Sequence, residues 1–316
     1  MFIFMRLLES VKLFLTHPLD KYDKSKVNLL KTILPAFIIL NHISNRGFND
    51  CGLHFFGSYG YVVMYLFFAM SGYGLVISYI KNEKYINDFL KKSLSKLFVP
   101  YLITLVLFVI YRFVEGIDQI EYFREKGLMM LVPTSWYIYV LSLFYIFYFL
   151  VFRYVKSSLA VKVVLVCALV IGYRIAAPYL GVEAWRYERC PAFCLGMMFA
   201  LLDKFFRTKL MRWHFLVGIG VLLCLPKNNV MSPFIYPAIV FMIMYVIGSF
   251  KEIRLVSFMS SISLEMFIVQ SLLMDIVIKD MHITSTIPVV VLVLVLDIIL
   301  AYMVNKLVNR ISLFKK

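Results

Sequence analysis

Lys31 and His42 are the residues whose type and spacing most readily suggest chemistry, because both fall within the largely apolar run 27–45. A charge at bilayer depth costs about 3 kcal/mol or more, so an ionisable residue held there has a partner or a task. In a helix, the separation between them returns the second side chain to within about 20° of the first, roughly 16 Å along the axis. One face would then carry an ammonium, a point charge for an anion, and an imidazole. Near neutral pH an imidazole accepts a proton from a hydroxyl or attacks as a nucleophile. Pro35 lies between them and is expected to kink the helix. Each residue alone has a plainer reading: a lysine snorkelling from a helix end, and an interfacial histidine bonded to a neighbour.

Other polar groups are weaker candidates. Glu265 lies in the segment Ser263 to Gln270, and Asp297 sits in the middle of another apolar run. An interhelical ion pair is the competing reading for both. Arg174, Arg186 and Arg189 flank the start of an apolar run, where headgroup anchoring would suffice. Trp136, Tyr137 and Tyr139 fit an interfacial aromatic belt. The five cysteines, Cys51, Cys167, Cys190, Cys194 and Cys224, make no disulfide framework. Cys190 and Cys194 have no second Cys/His pair beside them, so no metal centre is expected.

The elements that must position these groups follow from composition. Of 316 residues, 62% are apolar and 16% charged, with a mean hydropathy of +0.85. That leaves too little polar surface for a water-soluble globule. The apolar residues form long runs, not the short alternating segments of a membrane β-barrel. The expected fold is all-α: a polytopic transmembrane helical bundle of about ten spans. These fall at about 27–45, 59–80, 97–114, 134–152, 159–178, 190–205, 212–227, 233–250, 257–279 and 287–308. Residues 1–26 read as a cytoplasmic amphipathic, interfacial segment ending in the charged stretch 20–26, not as a cleaved signal peptide. Residues 27–316 read as a single transmembrane domain.

The net charge of +15 first suggests nucleic acid. The basic residues sit between apolar runs, however, so no nucleic-acid partner is expected. With the N-terminus inside, 23 Lys/Arg fall to the cytoplasmic segments and 9 to the outer ones, residues at span ends being counted with the nearer loop. That bias predicts an even number of spans with both termini cytoplasmic.

Six segments, in order, resemble the integral-membrane acyltransferase family 3, which includes O-antigen and Nod-factor O-acetylases. Lys31 and His42 stand at the family's arginine and histidine of the first span. Gly60, Phe67-Phe68 and Ser71-Gly72-Tyr73 match its second-span pattern. Phe89 to Lys96, closing on Pro100-Tyr101, is similar to its basic loop. Trp136-Tyr137 resembles its opening of span four, Arg189 with Phe193 and Gly196 its Arg-to-Phe-x-x-Gly segment, and Ser263, Glu265 and Gln270 its late Ser-x-Glu segment. Three positions depart: Lys31 replaces arginine, Ser93 stands where a basic residue is usual, and Gln270 replaces a histidine. Lysine keeps the charge but loses the bidentate fork.

The resemblance implies transfer of an acyl group, usually acetyl, from cytoplasmic acyl-CoA to a carbohydrate hydroxyl, in a bacterial-type inner membrane. No bound cofactor is implied; acyl-CoA is the donor substrate. His42 would be base or acyl carrier, and Glu265 would orient a histidine or an acceptor hydroxyl. Lys31 and Lys96, with Lys91 and Lys92, would lie near the anionic donor. Ser71, Gly72 and Tyr73 would let span two approach span one closely, with Ser71 and Tyr73 on the donor side. Trp136, Arg189 and Gln270 would serve the acceptor. The alternatives are a polysaccharide or lipid exporter and a catalytically lapsed subunit of a glycan assembly complex. The sequence carries no signal for an oligomeric state.

Overall fold

The computed structural model describes residues 2–19, 24–127, 130–228, 230–247 and 251–311. Part of the charged stretch 20–26, the end of the expected eighth span and the last five residues lie outside these. Every regular element among the described residues is helical. In hydrocarbon a helix satisfies its own backbone groups, which is what long uninterrupted apolar runs require. The helices are α1 (Phe2–Thr16), α2 (Lys24–Ser44), α3 (Leu53–Lys81), α4 (Ile86–Val114), α5 (Gln119–Lys126), α6 (Trp136–Tyr154) and α7 (Leu159–Ala176). They continue with α8 (Ala184–Tyr187), α9 (Pro191–Lys209), α10 (Arg212–Cys224), α11 (Ser232–Val246), α12 (Arg254–Ser261), α13 (Ser263–Met274) and α14 (Thr286–Arg310).

Six helical segments are long and apolar enough to cross a membrane: Lys24–Ser44, Leu53–Lys81, Glu83–Val114, Trp136–Tyr154, Leu159–Leu180 and Thr286–Arg310. A seventh arises if α12 and Ser263–Asp280 count as one span broken by a 63° bend. The other three expected spans are helical too, but they differ from the rest. α10 and α11 have 13 and 15 residues. At 1.5 Å per residue these cover only about 20 Å, against roughly 30 Å of hydrocarbon. α9 carries Asp203, Lys204, Arg207 and Lys209 in its final part. The expected basic loop before Pro100 is also helical: α4 begins at Ile86, so Lys91, Lys92 and Lys96 project from a helix. Lysine and leucine are good helix formers, and hydropathy alone started that span too late.

The chain divides into two compact units interleaved in sequence. The first comprises Met1–Val27, Met64–Lys84 and Val155–Glu252. Within it α7 packs on α9, α9 on α11, and α11 on α10. α1 is tied to α10: the Arg212 N–H donates to the His17 carbonyl at 3.2 Å, and the Arg212 guanidinium lies 4.7 Å from the Phe14 ring centre. The second unit comprises Asn28–Val63, Tyr85–Tyr154 and Ile253–Lys316. There α13 packs along α14 and α4, and α4 along α6. Its core includes Ile39 and Ile43 of α2, Met266 and Val269 of α13, and Val293 and Ala301 of α14.

Candidate active site

α2 is helical throughout 24–44, with Pro35 inside it, so Lys31 and His42 share a face as their spacing requires. Both are half-buried. The turn that carries His42 is clamped by its neighbour. Asn41 Nδ2 donates to the carbonyls of Phe56 (3.0 Å) and Gly57 (3.1 Å) at the start of α3. A Cβ on Gly60 would stand 2.0 Å from Asn41 Cγ, so only glycine allows this approach. Ser44 Oγ donates to Asn49 Oδ1 at 2.7 Å, closing the turn beyond the helix.

Span two therefore does approach span one, but through Gly60. The stretch Ser71, Gly72 and Tyr73 packs on α9 within its own unit. A Cβ on Gly72 would lie 2.1 Å from the Phe193 carbonyl oxygen, and one on Gly196 would lie 1.8 Å from that of Ala69. Small residues let two helix backbones touch, and here each helix supplies one glycine to the crossing. Ser71 Oγ donates to the Phe67 carbonyl at 2.8 Å. The Tyr73 hydroxyl donates to Asp203 Oδ1 at 3.4 Å, and the Tyr245 hydroxyl donates to the same oxygen at 2.6 Å. Arg207 completes the cluster, with Nε at 3.1 Å and Nη2 at 2.9 Å from Asp203 Oδ2. Asp203 is a polar centre that sequence reasoning missed. Its only signal was an Asp and an Arg one helical turn apart at the end of an apolar run.

Arg189 precedes Pro191, the first residue of α9, and is half-buried. Burial lowers its pKa, while Tyr65 and Glu188 oppose that shift.

In the second unit, Lys91, Lys92 and Lys96 are exposed on α4, and Lys92 pairs with Asp88 at 3.1 Å. Three of the matched segments meet here. The hydroxyls of Tyr101 and Tyr139 lie 2.9 Å apart, joining α4 to α6. The Tyr137 ring stands edge-on to Phe267 at 5.5 Å, and Thr134 Oγ1 donates to the Ile268 carbonyl at 3.4 Å, joining the start of α6 to α13. Trp136 is buried at the start of α6 rather than exposed in a belt.

Glu265 is buried, and its Oε1 accepts from Asn305 Nδ2 at 2.9 Å. The same amide donates to the Ser261 carbonyl at 3.2 Å, so Asn305 bridges the break between α12 and α13. The group that meets Glu265 is thus an amide of α14, not a histidine. Gln270 is fully buried; its Nε2 donates to the Phe267 carbonyl at 3.0 Å, while its Oε1 has no partner among the described residues. Asp297 is fully buried with both oxygens unpartnered among the described residues, so it is not half of an ion pair there. Also among the described residues, no three His, Cys, Asp or Glu side chains are grouped to hold a metal.

No curated protein and no solved structure matches this chain. One family model does, the acyltransferase domain of acyltransferase family 3, over residues 24–306. The match runs from the start of α2 to the last turns of α14 and includes every candidate-site residue named above. With an all-helical fold among the described residues, at least six apolar helices of spanning length and a family match over nearly the whole chain, the chain belongs to the acyltransferase family 3.

Proposed function

We propose that this chain is a membrane O-acyltransferase. It moves an acyl group, acetyl in the simplest case, from cytoplasmic acyl-CoA to a hydroxyl of a cell-surface glycan or its lipid-linked precursor. The observation that carries this reading is the shared face of α2 bearing Lys31 and His42, inside the region matched to the family. In this proposal the chain crosses the inner membrane ten times, with α9, α10 and α11 among the spans and both termini cytoplasmic. The excess of Lys and Arg on that side supports the orientation. Local thinning of the bilayer accommodates the shorter helices.

Lys31 then lies toward the cytoplasmic end of α2 and holds the anionic donor, with Lys96 of α4 contributing positive charge at the donor's entry. His42 lies toward the opposite end. Its imidazole takes the proton of the acceptor hydroxyl as the oxygen attacks the thioester carbonyl. The carbon–sulfur bond breaks, the CoA thiolate leaves, and the proton passes from the imidazole to solvent or sulfur. In the two-step variant the imidazole nitrogen first accepts the acyl group from CoA, then yields it to the hydroxyl. Asn41, clamped to two carbonyls of α3, positions the turn from which His42 acts.

The test is consumption of labelled acetyl-CoA by purified protein supplied with surface glycan. His42→Ala is expected to lower turnover by at least about 100-fold, the usual contribution of a positioned base. Undiminished turnover would remove His42 from the mechanism. Lys31→Arg is expected to keep activity, because the charge is retained. Complete loss in that variant, with normal insertion, would show that Lys31 does something an arginine cannot.

A further inference from the structure

In the second unit, the ends of α2 and α4 meet the segment that links α13 to α14. Arg46, just beyond α2, pairs with Asp275 at 2.9 Å; Tyr111 near the end of α4 donates to Asp280 at 3.4 Å; Thr286 donates to Asp50 at 3.4 Å. Between them lies a cavity of about 590 Å³ whose walls include Tyr111, Tyr122, Glu115, Asp280 and His282. His282 also lines a second cavity of about 410 Å³ that reaches Arg46 and Asp50. A third hollow, of about 440 Å³, begins at Ser44, in the last turn of the helix that carries His42. The three form a polar track leading toward the His42 end of α2.

The chemistry of the cavity beside Tyr111 is selective. Its cations are engaged by the protein itself. Arg112 donates to the Leu131 carbonyl and lies 3.8 Å from the ring centre of Tyr122 and 5.3 Å from that of Phe108. Lys279 is paired with Asp275 at 3.3 Å. Two tyrosines and the exposed carboxylates Glu115 and Asp280 face the space. An anion entering here would meet like charge. A neutral polyol would find carboxylate oxygens to accept its hydroxyls and aromatic rings to cover its apolar face. The volume lies within the usual range for a small-molecule site, about 300–1,000 Å³.

The backbone is unusual at the same place. Asp275–Asp280 forms a π-helical turn, and His282 has φ of +52°. π turns are rare and concentrate at functional sites, and a residue other than glycine seldom holds positive φ.

We propose that this cavity binds an uncharged saccharide, and that it is the acceptor subsite of the reaction proposed above, on which the word acceptor rests. The ring sits against Tyr111 and Tyr122 with its hydroxyls donating to Glu115 and Asp280. The glycan runs past His282 toward the end of α2.

The test uses saturation-transfer NMR on the full-length protein in detergent, with the methyl glycosides of glucose, N-acetylglucosamine and glucuronic acid as probes. The two neutral glycosides are expected to receive saturation, and the glucuronide about fivefold less, because its carboxylate meets the like charge of Glu115 and Asp280. Glu115→Gln with Asp280→Asn, both exposed and isosteric, is expected to weaken the neutral ligands about fivefold, roughly one hydrogen bond. It should also narrow the gap to the glucuronide. No transfer to either neutral glycoside, or transfer untouched by these substitutions and by Tyr122→Ala, would overturn the site. The two proposals fail separately. Saccharide binding without any acetyl-CoA consumption rejects acyl transfer and keeps the site. Acyl transfer to a glycoside whose KM ignores all three substitutions rejects the site and keeps the enzyme.

Discussion

Asp203 and Asp297 are both carboxylates buried in helices, one in each compact unit, and they are built in opposite ways. Asp203 receives two tyrosine hydroxyls, from α3 and α11, and a two-nitrogen contact from Arg207 on its own helix. Asp297 occupies the inner stripe of α14, where Val289, Val293, Ala301, Val304 and Val308 are the other buried residues of the helix proper after its first turn. No donor among the described residues reaches it. The rule that an acid in an apolar run marks a function treats the two alike. Their surroundings separate them. Asp203 is a pin joining three helices, and a charge on it is compensated. Asp297 contributes no cross-link, so it is not there to hold helices together.

The comparison breaks most easily at Asp203. Asp203→Ala would leave a guanidinium and two hydroxyls without their common acceptor, and should cost about 3–5 kcal/mol. Thermal aggregation of the detergent-solubilised protein would report it as a large fall in melting temperature. An unchanged melt would show that the cluster pins nothing. The same helix crossing offers a second, smaller break. Gly196→Ala places a methyl group against the Ala69 carbonyl, where there is no room. Pushing α3 and α9 apart should cost about 1–3 kcal/mol. The equivalent change at Gly74, where an added Cβ meets nothing, gives the matched control. Smallest of all is Asp297→Leu. Replacing an unpartnered carboxyl by an apolar side chain of similar size should shift stability by under about 0.5 kcal/mol, or raise it. A loss as large as that of Asp203→Ala would make the two acids equivalent after all.

The sequence was a good guide to helices and a poor one to partners. Continuous apolar runs located all ten expected segments on helices, because backbone satisfaction in hydrocarbon admits little else. It misjudged α4, whose first turns are charged yet helical, because hydropathy marks where a helix meets lipid and not where it starts. It also passed over the shortness of α10 and α11, whose apolar runs extend beyond their helical residues. Spacing put Lys31 and His42 on one face, since helical periodicity is local information. Gly72 is different. A glycine announces a close approach but not the helix that approaches, and α9 is more than a hundred residues further along. The cavity of Tyr111 and Asp280 was hidden for the same reason, as was the link between Glu265 and Asn305: each depends on residues that only the folded chain brings together.

The π turn at Asp275–Asp280 has a consequence for chain length. Such a turn holds one residue more than the α turn it replaces. Deleting a single residue from 276–279 would let the segment relax to α geometry while the chain beyond it keeps nearly the same phase. Asp280 and His282 would keep their side of the segment, while Ile278 and Lys279, inside the turn, would be re-aimed at the cavity walls. A one-codon difference in this turn would therefore reshape the cavity wall without shifting the register of the chain that follows it.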